Sequence, residues 1–151
     1  MLVEVKGDLL KTYKGVGPLI VVPVNKVGVA GRGLALWMRM RFQEAYERYE
    51  KHCRRGNIAL GELKVYDAVT YKLAFFPTKH YWNNDSDPAL IRQSVRRLFE
   101  YMEDNDIREA HAPQFGCGQH TGRLDWYRDV RPIVEEYFTS GCGYTLHVYS
   151  R

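Results

Sequence analysis

Two glycine-rich stretches, one lysine, one aspartate and a cysteine–histidine pair are the residues of this 151-residue chain whose types and spacing could do chemistry. Gly28-Val29-Ala30-Gly31-Arg32-Gly33 lies between a β-branched apolar run and an amphipathic stretch. Glycines there let the backbone approach a ligand. A helix starting behind them presents free N–H groups and the positive end of its dipole, which favours a phosphate. The spacing is G-x-x-G-x-G, which is neither the dinucleotide-binding G-x-G-x-x-G nor a P-loop with Gly-Lys-Ser/Thr. A second loop reads Gly116-Cys117-Gly118-Gln119-His120-Thr121-Gly122. Either the two loops clasp a pyrophosphate from both sides, or both are tight turns that need positive φ. Cys117, with His120 nearby, is a candidate nucleophile. No third group orients the histidine, and a small buried cysteine between two glycines is the other reading. Lys79 ends an apolar stretch and is either a plain phosphate contact or an amine nucleophile, whose pKa partial burial and nearby cations would lower. Asp8, after the first apolar stretch, suits an amine donor.

Strands and helices must hold these residues in place. Val3 and Val5 alternate with Glu4 and Lys6 as a short half-buried strand, and Leu19-Ile20-Val21-Val22 reads as a strand covered on both faces. Leu34, Trp37, Met38, Phe42, Ala45, Tyr46 and Tyr49 recur at steps of three and four, one face of an amphipathic helix. Glu62 to Val69 and Tyr71 to Phe76 are two further strands, the second ending at Pro77. Asp87-Pro88 starts a second helix, with Ile91, Val95, Leu98, Phe99 and Met102 on one face. A strand near Glu109 to Ala112 leads into the second glycine loop. Trp126, Val130, Ile133, Val134 and Tyr137 form a third helical face, with Pro132 tolerable if the regular helix begins near Asp129. Tyr144 to Tyr149 alternates as a last strand. Strands interleaved with helices predict a single α/β layered domain with helices on both faces of a mixed sheet. Both glycine loops follow strands and precede helices, where ligands of open sheets gather.

Composition excludes several classes. Apolar residues make up 45% and charged residues 26%, ordinary for a soluble globular protein, which excludes disorder, collagen and coiled coil. The longest apolar run, Pro18 to Val24, is far short of a membrane span, and Glu4 and Lys6 break any signal peptide. Cys53, Cys117 and Cys142 are odd in number and widely spaced, which excludes a disulfide framework and suits a reducing cytoplasm. His52, His80, His111 and His147 do not fall into metal-ligand spacing, so no metal site is expected. Residues 1–60 carry 11 basic against 5 acidic side chains, concentrated in Arg32, Arg39, Arg41, Arg48, Lys51, Arg54 and Arg55. That cluster either holds phosphates or is a solvated helix face partly neutralised by Glu44, Glu47 and Glu50. Trp37, Tyr66, Tyr71, Tyr81 and Trp82 are either core and rim packing or base-stacking surfaces, with Trp82 the candidate base platform.

Taken in order, these stretches resemble a macrodomain. Gly7-Asp8-Leu9, Val22-Pro23-Val24-Asn25, Gly28 through Ala35, Phe76-Pro77-Thr78-Lys79, Ala112 through Gly118 and Leu124-Asp125-Trp126 carry the resemblance from about residue 2 to residue 149. Within the family, the pattern is similar to the macrodomains of DarG-type antitoxins and to the terminal ADP-ribose glycohydrolases. The resemblance implies a three-layer α/β/α fold that binds ADP-ribose in a crevice above the sheet. Asp8 matches the residue that accepts from the adenine amino group, with Leu9 beside it, and Asn25 matches the asparagine at the distal ribose. Gly28, Val29, Ala30, Gly31, Arg32 and Gly33, with Gly116, Cys117, Gly118, Gln119, His120, Thr121 and Gly122, match the loops around the diphosphate and distal ribose. Thr78 precedes Lys79, which matches the catalytic lysine of this branch.

Two departures bear on substrate. Val22 stands where many members carry a further asparagine, which removes one distal-ribose or water-positioning contact. After Gly118 the chain reads Gln-His-Thr-Gly, without the aspartate of the protein-directed glycohydrolases. The resemblance therefore implies a hydrolase that strips ADP-ribose from modified DNA bases, with ADP-ribose as ligand and product and no further cofactor. A non-catalytic ADP-ribose reader, a protein de-ADP-ribosylase and an ADP-ribose 1″-phosphate phosphatase are the competing expectations. A cytoplasmic monomer is expected, with ADP-ribosylated DNA and a cognate DNA-modifying toxin as partners. DarG-type antitoxins carry a further toxin-binding domain, so a standalone member and a piece of a longer antitoxin are both expected possibilities.

Overall fold

A computed structural model describes residues 1–12, 18–25, 39–56, 63–67, 71–79, 86–117 and 124–150, with backbone alone for Leu10, Thr12, Asn25 and Lys79. Its elements are β1 (Leu2–Lys6), α1 (Leu9–Thr12), β2 (Leu19–Asn25), α2 (Gln43–Arg54), β3 (Lys64–Asp67), β4 (Lys72–Lys79) and α3 (Pro88–Asp104). There follow β5 (Glu109–Pro113), a π-helical turn (Trp126–Val130) that runs into α4 (Arg131–Tyr137), and β6 (Thr145–Ser150). Six strands form one sheet in the order β1-β6-β5-β2-β4-β3. Every neighbouring pair is parallel except the antiparallel β3–β4 pair at one edge, so the sheet is mixed.

The period-2 alternation of the central strands divides the core into two. Leu19 and Val21 of β2 and Ala74 and Phe76 of β4 face α3 and α4, where Ile91, Val95, Leu98, Val130 and Val134 meet them. Ile20, Val22 and Val24, with Leu73 and Phe75, face the other way, onto Phe42, Tyr46 and Tyr49. The rings of Tyr46 and Tyr49 lie 4.9 and 5.0 Å from that of Phe75. Helices thus cover both faces, and the expected three-layer α/β/α arrangement holds. Among the described residues, no helix is long and apolar enough to cross a membrane.

Two elements differ from the sequence expectation. The amphipathic face read through Leu34, Trp37 and Met38 lies outside the described residues in that part, and its described part is not one continuous helix. Phe42 leaves the helical region at φ −123°, ψ 48° and acts as the N-cap residue of α2. Burial is the reason: the Phe42 ring is driven into the core, with Tyr71 edge-on at 6.1 Å. β4, expected to end at Pro77, continues to Lys79. A proline lacks the N–H a ladder needs, but among the described residues β3 pairs only with Lys72 to Phe75, so no described β3 ladder reaches Pro77.

The helix starts follow their sequence signals. Asp87 caps α3 by accepting from the Ala89 N–H at 2.9 Å, with Pro88 in the first turn. Asp125 accepts from the Arg128 N–H at 2.8 Å, and Asp129 accepts from the Asp125 N–H at 2.7 Å. That reciprocal cap lets the wide π-turn precede α4, which takes Pro132 in its first turn without losing an internal hydrogen bond.

Candidate functional site

Parallel strands bring all their carboxyl ends to one edge of the sheet. β1 delivers Asp8 there, β5 delivers Gly116 and Cys117, β2 delivers Asn25, and β4 delivers Thr78 and Lys79. From β1 to β4 is four strand intervals, about 19 Å at roughly 4.8 Å each. Asp8 therefore stands at one end of a row and Asn25 with Lys79 at the other.

A bulge sets the Lys79 end. Val24 pairs with Pro77, but the next pair is Asn25 with Lys79, so Thr78 is an extra residue in β4. Burial and two hydrogen bonds hold this irregular backbone. Thr78 is 4% exposed. Its carbonyl accepts from the Asp87 N–H at 3.0 Å. The buried Ser94 hydroxyl of α3 donates to the Pro77 carbonyl at 2.6 Å. Residues far apart in sequence, 25 and 79, become ladder partners at the tip of the central strands.

At the other end, the Gly7 N–H donates to the Ser150 carbonyl at 2.7 Å, and Asp8 opens α1 by accepting at its carbonyl from the Lys11 N–H at 3.1 Å. Leu9 is 3% exposed and packs in the core with Ile20 and Val22, so its backbone is what it offers a ligand. Val22 is fully buried in the same core, one turn of the pleat below the edge.

In the middle of the row, the Leu124 N–H donates to the Gly116 carbonyl at 3.1 Å and pinches the base of the second glycine loop. The Trp126 ring packs under it, edge-on to Phe115 at 5.5 Å, and its indole N–H donates to Glu4 of β1 at 2.8 Å. Cys117 donates its S–H to the Phe115 carbonyl at 3.2 Å. Burial first, then the charges of Asp125 and Asp129, push its thiol up to about 12. At neutral pH it is a thiol and no nucleophile. Of its two readings, the small half-buried cysteine is the one the structure supports.

Gly28 to Gly33, Gly118 to Gly122 with His120, and His80, Trp37 and Trp82 lie outside the described residues. Arg39, ahead of α2, and Arg54 of α2 pair with Glu50 at 3.2 and 3.1 Å, and Arg48 pairs with Glu44 at 3.0 Å. For those three arginines the partly neutralised helix face is what is found.

The family model for the Macro domain matches residues 21–130, from within β2 through α2, β3, β4, α3 and β5 to the turn before α4. The chain belongs to the Macro domain family. It is 31% identical over 153 residues to the Thermus aquaticus protein named DNA ADP-ribosyl glycohydrolase, covering 99% of this chain and 41% of the relative. The chain thus spans about two fifths of that curated relative's length. The structure is similar to the macrodomain of Thermus aquaticus DarG with a TM-score of 0.86 at 30% identity, covering 100% of this chain and 99% of that one. It is similar also to Thermosipho africanus DarTG in complex with ADP-ribose, with a TM-score of 0.83 at 26% identity, over 99% of this chain and 41% of that one. The row of strand ends is therefore the edge of a macrodomain sheet.

Sequence reasoning missed Ser94 and the strand register. A serine on the buried face of an amphipathic helix was the available signal for the first. It also missed that β5–β6 pairing sets His111 against His147, with Glu109 beside them, where sequence spacing had excluded a metal-ligand group. Only the register reveals that neighbourhood. Burial first, then the facing His147, pulls the His111 pKa down to about 4, against a smaller opposing pull from Glu109.

Proposed function

We propose that this macrodomain binds ADP-ribose along the carboxyl edge of its sheet and hydrolyses it from modified DNA bases. The observation that carries the reading is the bulged Asn25–Lys79 pair at the tip of β2 and β4, about 14–19 Å along the row from Asp8. That span suits an extended dinucleotide-sized ligand, adenine at Asp8 and distal ribose at Asn25 and Lys79. The glycine loops, Gly28 to Gly33 and Gly116 to Gly122, would supply N–H groups to the diphosphate between them. The DarTG relative in complex with ADP-ribose and the relative named DNA ADP-ribosyl glycohydrolase support the ligand and the substrate.

In this reading the C1″–O4″ bond opens as O4″ takes a proton and the base nitrogen's electron pair forms C1″=N⁺; the Lys79 amine adds to C1″, and the bond from C1″ to the base nitrogen breaks. The base nitrogen leaves with the proton that the amine gives up. Water then adds to the resulting imine and releases ADP-ribose, which restores the amine. The partner is a DNA-modifying enzyme whose product this chain removes, in the cytoplasm.

The test offers the chain three substrates: ADP-ribosylated DNA, ADP-ribosylated protein and ADP-ribose 1″-phosphate. Turnover of the DNA alone is expected. It should fall steeply between about 50 and 200 mM salt, because phosphate contacts release counterions. Lys79→Arg and Lys79→Ala should both abolish turnover while ADP-ribose binds within about tenfold, since guanidinium offers no usable lone pair. Borohydride should trap a protein–ADP-ribose adduct at Lys79. Substantial turnover by Lys79→Arg would reduce the lysine to an electrostatic clamp, and ADP-ribose binding without any turnover would make the chain a reader.

A further inference from the structure

His111 and His147 face each other across the β5–β6 ladder, on the side of the sheet away from α3, because their neighbours Ala110, Ala112, Leu146 and Val148 fill the α3-side core. Their rings stack with centroids 4.5 Å apart and planes 5° from parallel. His111 is 6% exposed. The Nε2 atoms of both rings are buried and make no hydrogen bond among the described residues. Buried polar nitrogens are ordinarily satisfied, and two side by side without a hydrogen bond among the described residues need an explanation. A carboxylate oxygen of Glu109 lies 3.5 Å from the His147 Nε2. Ligand atoms of Glu109, His111 and His147 all fall within 4.8 Å of one another.

We propose that Glu109, His111 and His147 form a site for a transition-metal ion of the zinc class, which would clamp β5 to β6. The donor set decides the class. Two imidazole nitrogens and one carboxylate suit zinc and its neighbours, whereas calcium and magnesium take oxygen donors. In a tetrahedral zinc site the ligand atoms stand about 3.3 Å apart and each imidazole lone pair aims at the metal, so closing the cluster requires the two rings to tilt out of their parallel stack. The hydroxyl of Tyr149 is 2.8 Å from the His111 Nδ1. Accepting from an Nδ1–H there, it leaves the Nε2 lone pair for the metal, the outer-shell arrangement that fixes the tautomer of a metal-bound histidine. Glu109 is exposed at the start of β5 and opens the site to solvent, which supplies an entry path and a fourth, water ligand.

The site is separate from the ligand edge. His111 is level with Ile20, five residues below Asn25 on β2, about 16 Å at roughly 3.3 Å per residue. It stands whether or not the chain hydrolyses anything.

The test uses the whole chain, purified without a histidine tag and stripped with a chelator, then titrated with Co²⁺ and Zn²⁺. One Co²⁺ per chain should bind with the intense visible bands of tetrahedral coordination, and Zn²⁺ should displace it. Melting temperature should rise with free Zn²⁺ concentration, as for any ligand selective for the folded state. Glu109→Gln, at an exposed position, should weaken Co²⁺ binding by about tenfold or more. His147→Gln should abolish the bands, its folding checked by circular dichroism. Absence of stoichiometric Co²⁺ or Zn²⁺ binding by the unaltered chain would overturn the proposal. So would Glu109→Gln binding with unchanged affinity and spectrum, an outcome that decides the matter even if His147→Gln fails to fold.

Discussion

A Cβ built on Gly116 would lie 2.8 Å from the Ile91 Cδ1 and 3.4 Å from the Val130 Cγ2, and the residue's φ is +78°. Both facts concern packing and backbone, and neither needs a ligand. Gly116→Ala should therefore lower stability by about 2–4 kcal/mol, combining left-handed strain with overpacking against a fully buried helix face. Gly141, at φ +84° with nothing within 4 Å, supplies the control, and Gly141→Ala should cost only the strain, about 1 kcal/mol. Urea unfolding reads the difference as a larger fall in midpoint for Gly116→Ala at unchanged slope. Equal effects would mean that Ile91 yields without cost. In sequence, Gly116 was legible as a glycine that something required, but a phosphate path and a tight turn leave the same residue. Cys117 was ambiguous in the same way until its burial, beside Asp125 and Asp129, fixed it as a protonated thiol.

At the scale of elements, the sheet and helices were legible because their signals are local. The alternation at Val3 and Val5, the β-branched run of β2 and the Asp87-Pro88 start each act within a few residues. What was not legible came from contacts distant in sequence. The break at Phe42 answers a ring just ahead of β4, the described β3 ladder reaches only Phe75 of β4, and the Thr78 bulge exists only against β2. Asn25 and Lys79 were each legible as candidates, but their pairing was not. The bulge is held by α3, which makes Ser94 its testable support. Ser94→Ala removes a buried donor to the Pro77 carbonyl and should cost about 1–2 kcal/mol, the range for leaving a buried acceptor short of a partner. Urea unfolding measures that loss. Under the proposed function the same variant should lower turnover of ADP-ribosylated DNA more than it weakens ADP-ribose binding, because Lys79 would be held less firmly. Unchanged stability would show that the Pro77 carbonyl finds another donor.

The whole molecule sets the two ends of the proposed ligand on different parts of the sheet. Asp8 belongs to the β1 edge, while Asn25 on β2 is three intervals away and Lys79 on β4 four, about 14 and 19 Å at roughly 4.8 Å each. Sites so far apart contribute additively, within about 0.5 kcal/mol. Asp8→Ala should weaken ADP-ribose by about 1–3 kcal/mol, as for loss of a charged hydrogen-bond partner. It should weaken AMP by the same amount, since AMP carries the adenine but not the distal ribose. Lys79→Ala should leave AMP affinity unchanged and shift ADP-ribose by less than about 1.4 kcal/mol, a factor of ten. In the double variant the two losses for ADP-ribose should sum. Calorimetric titration of both ligands against the four proteins measures every term. A Lys79→Ala effect on AMP, or a coupling well above 0.5 kcal/mol, would mean that the ligand does not run along the row of strand ends and that Asp8 and Lys79 serve one compact pocket instead.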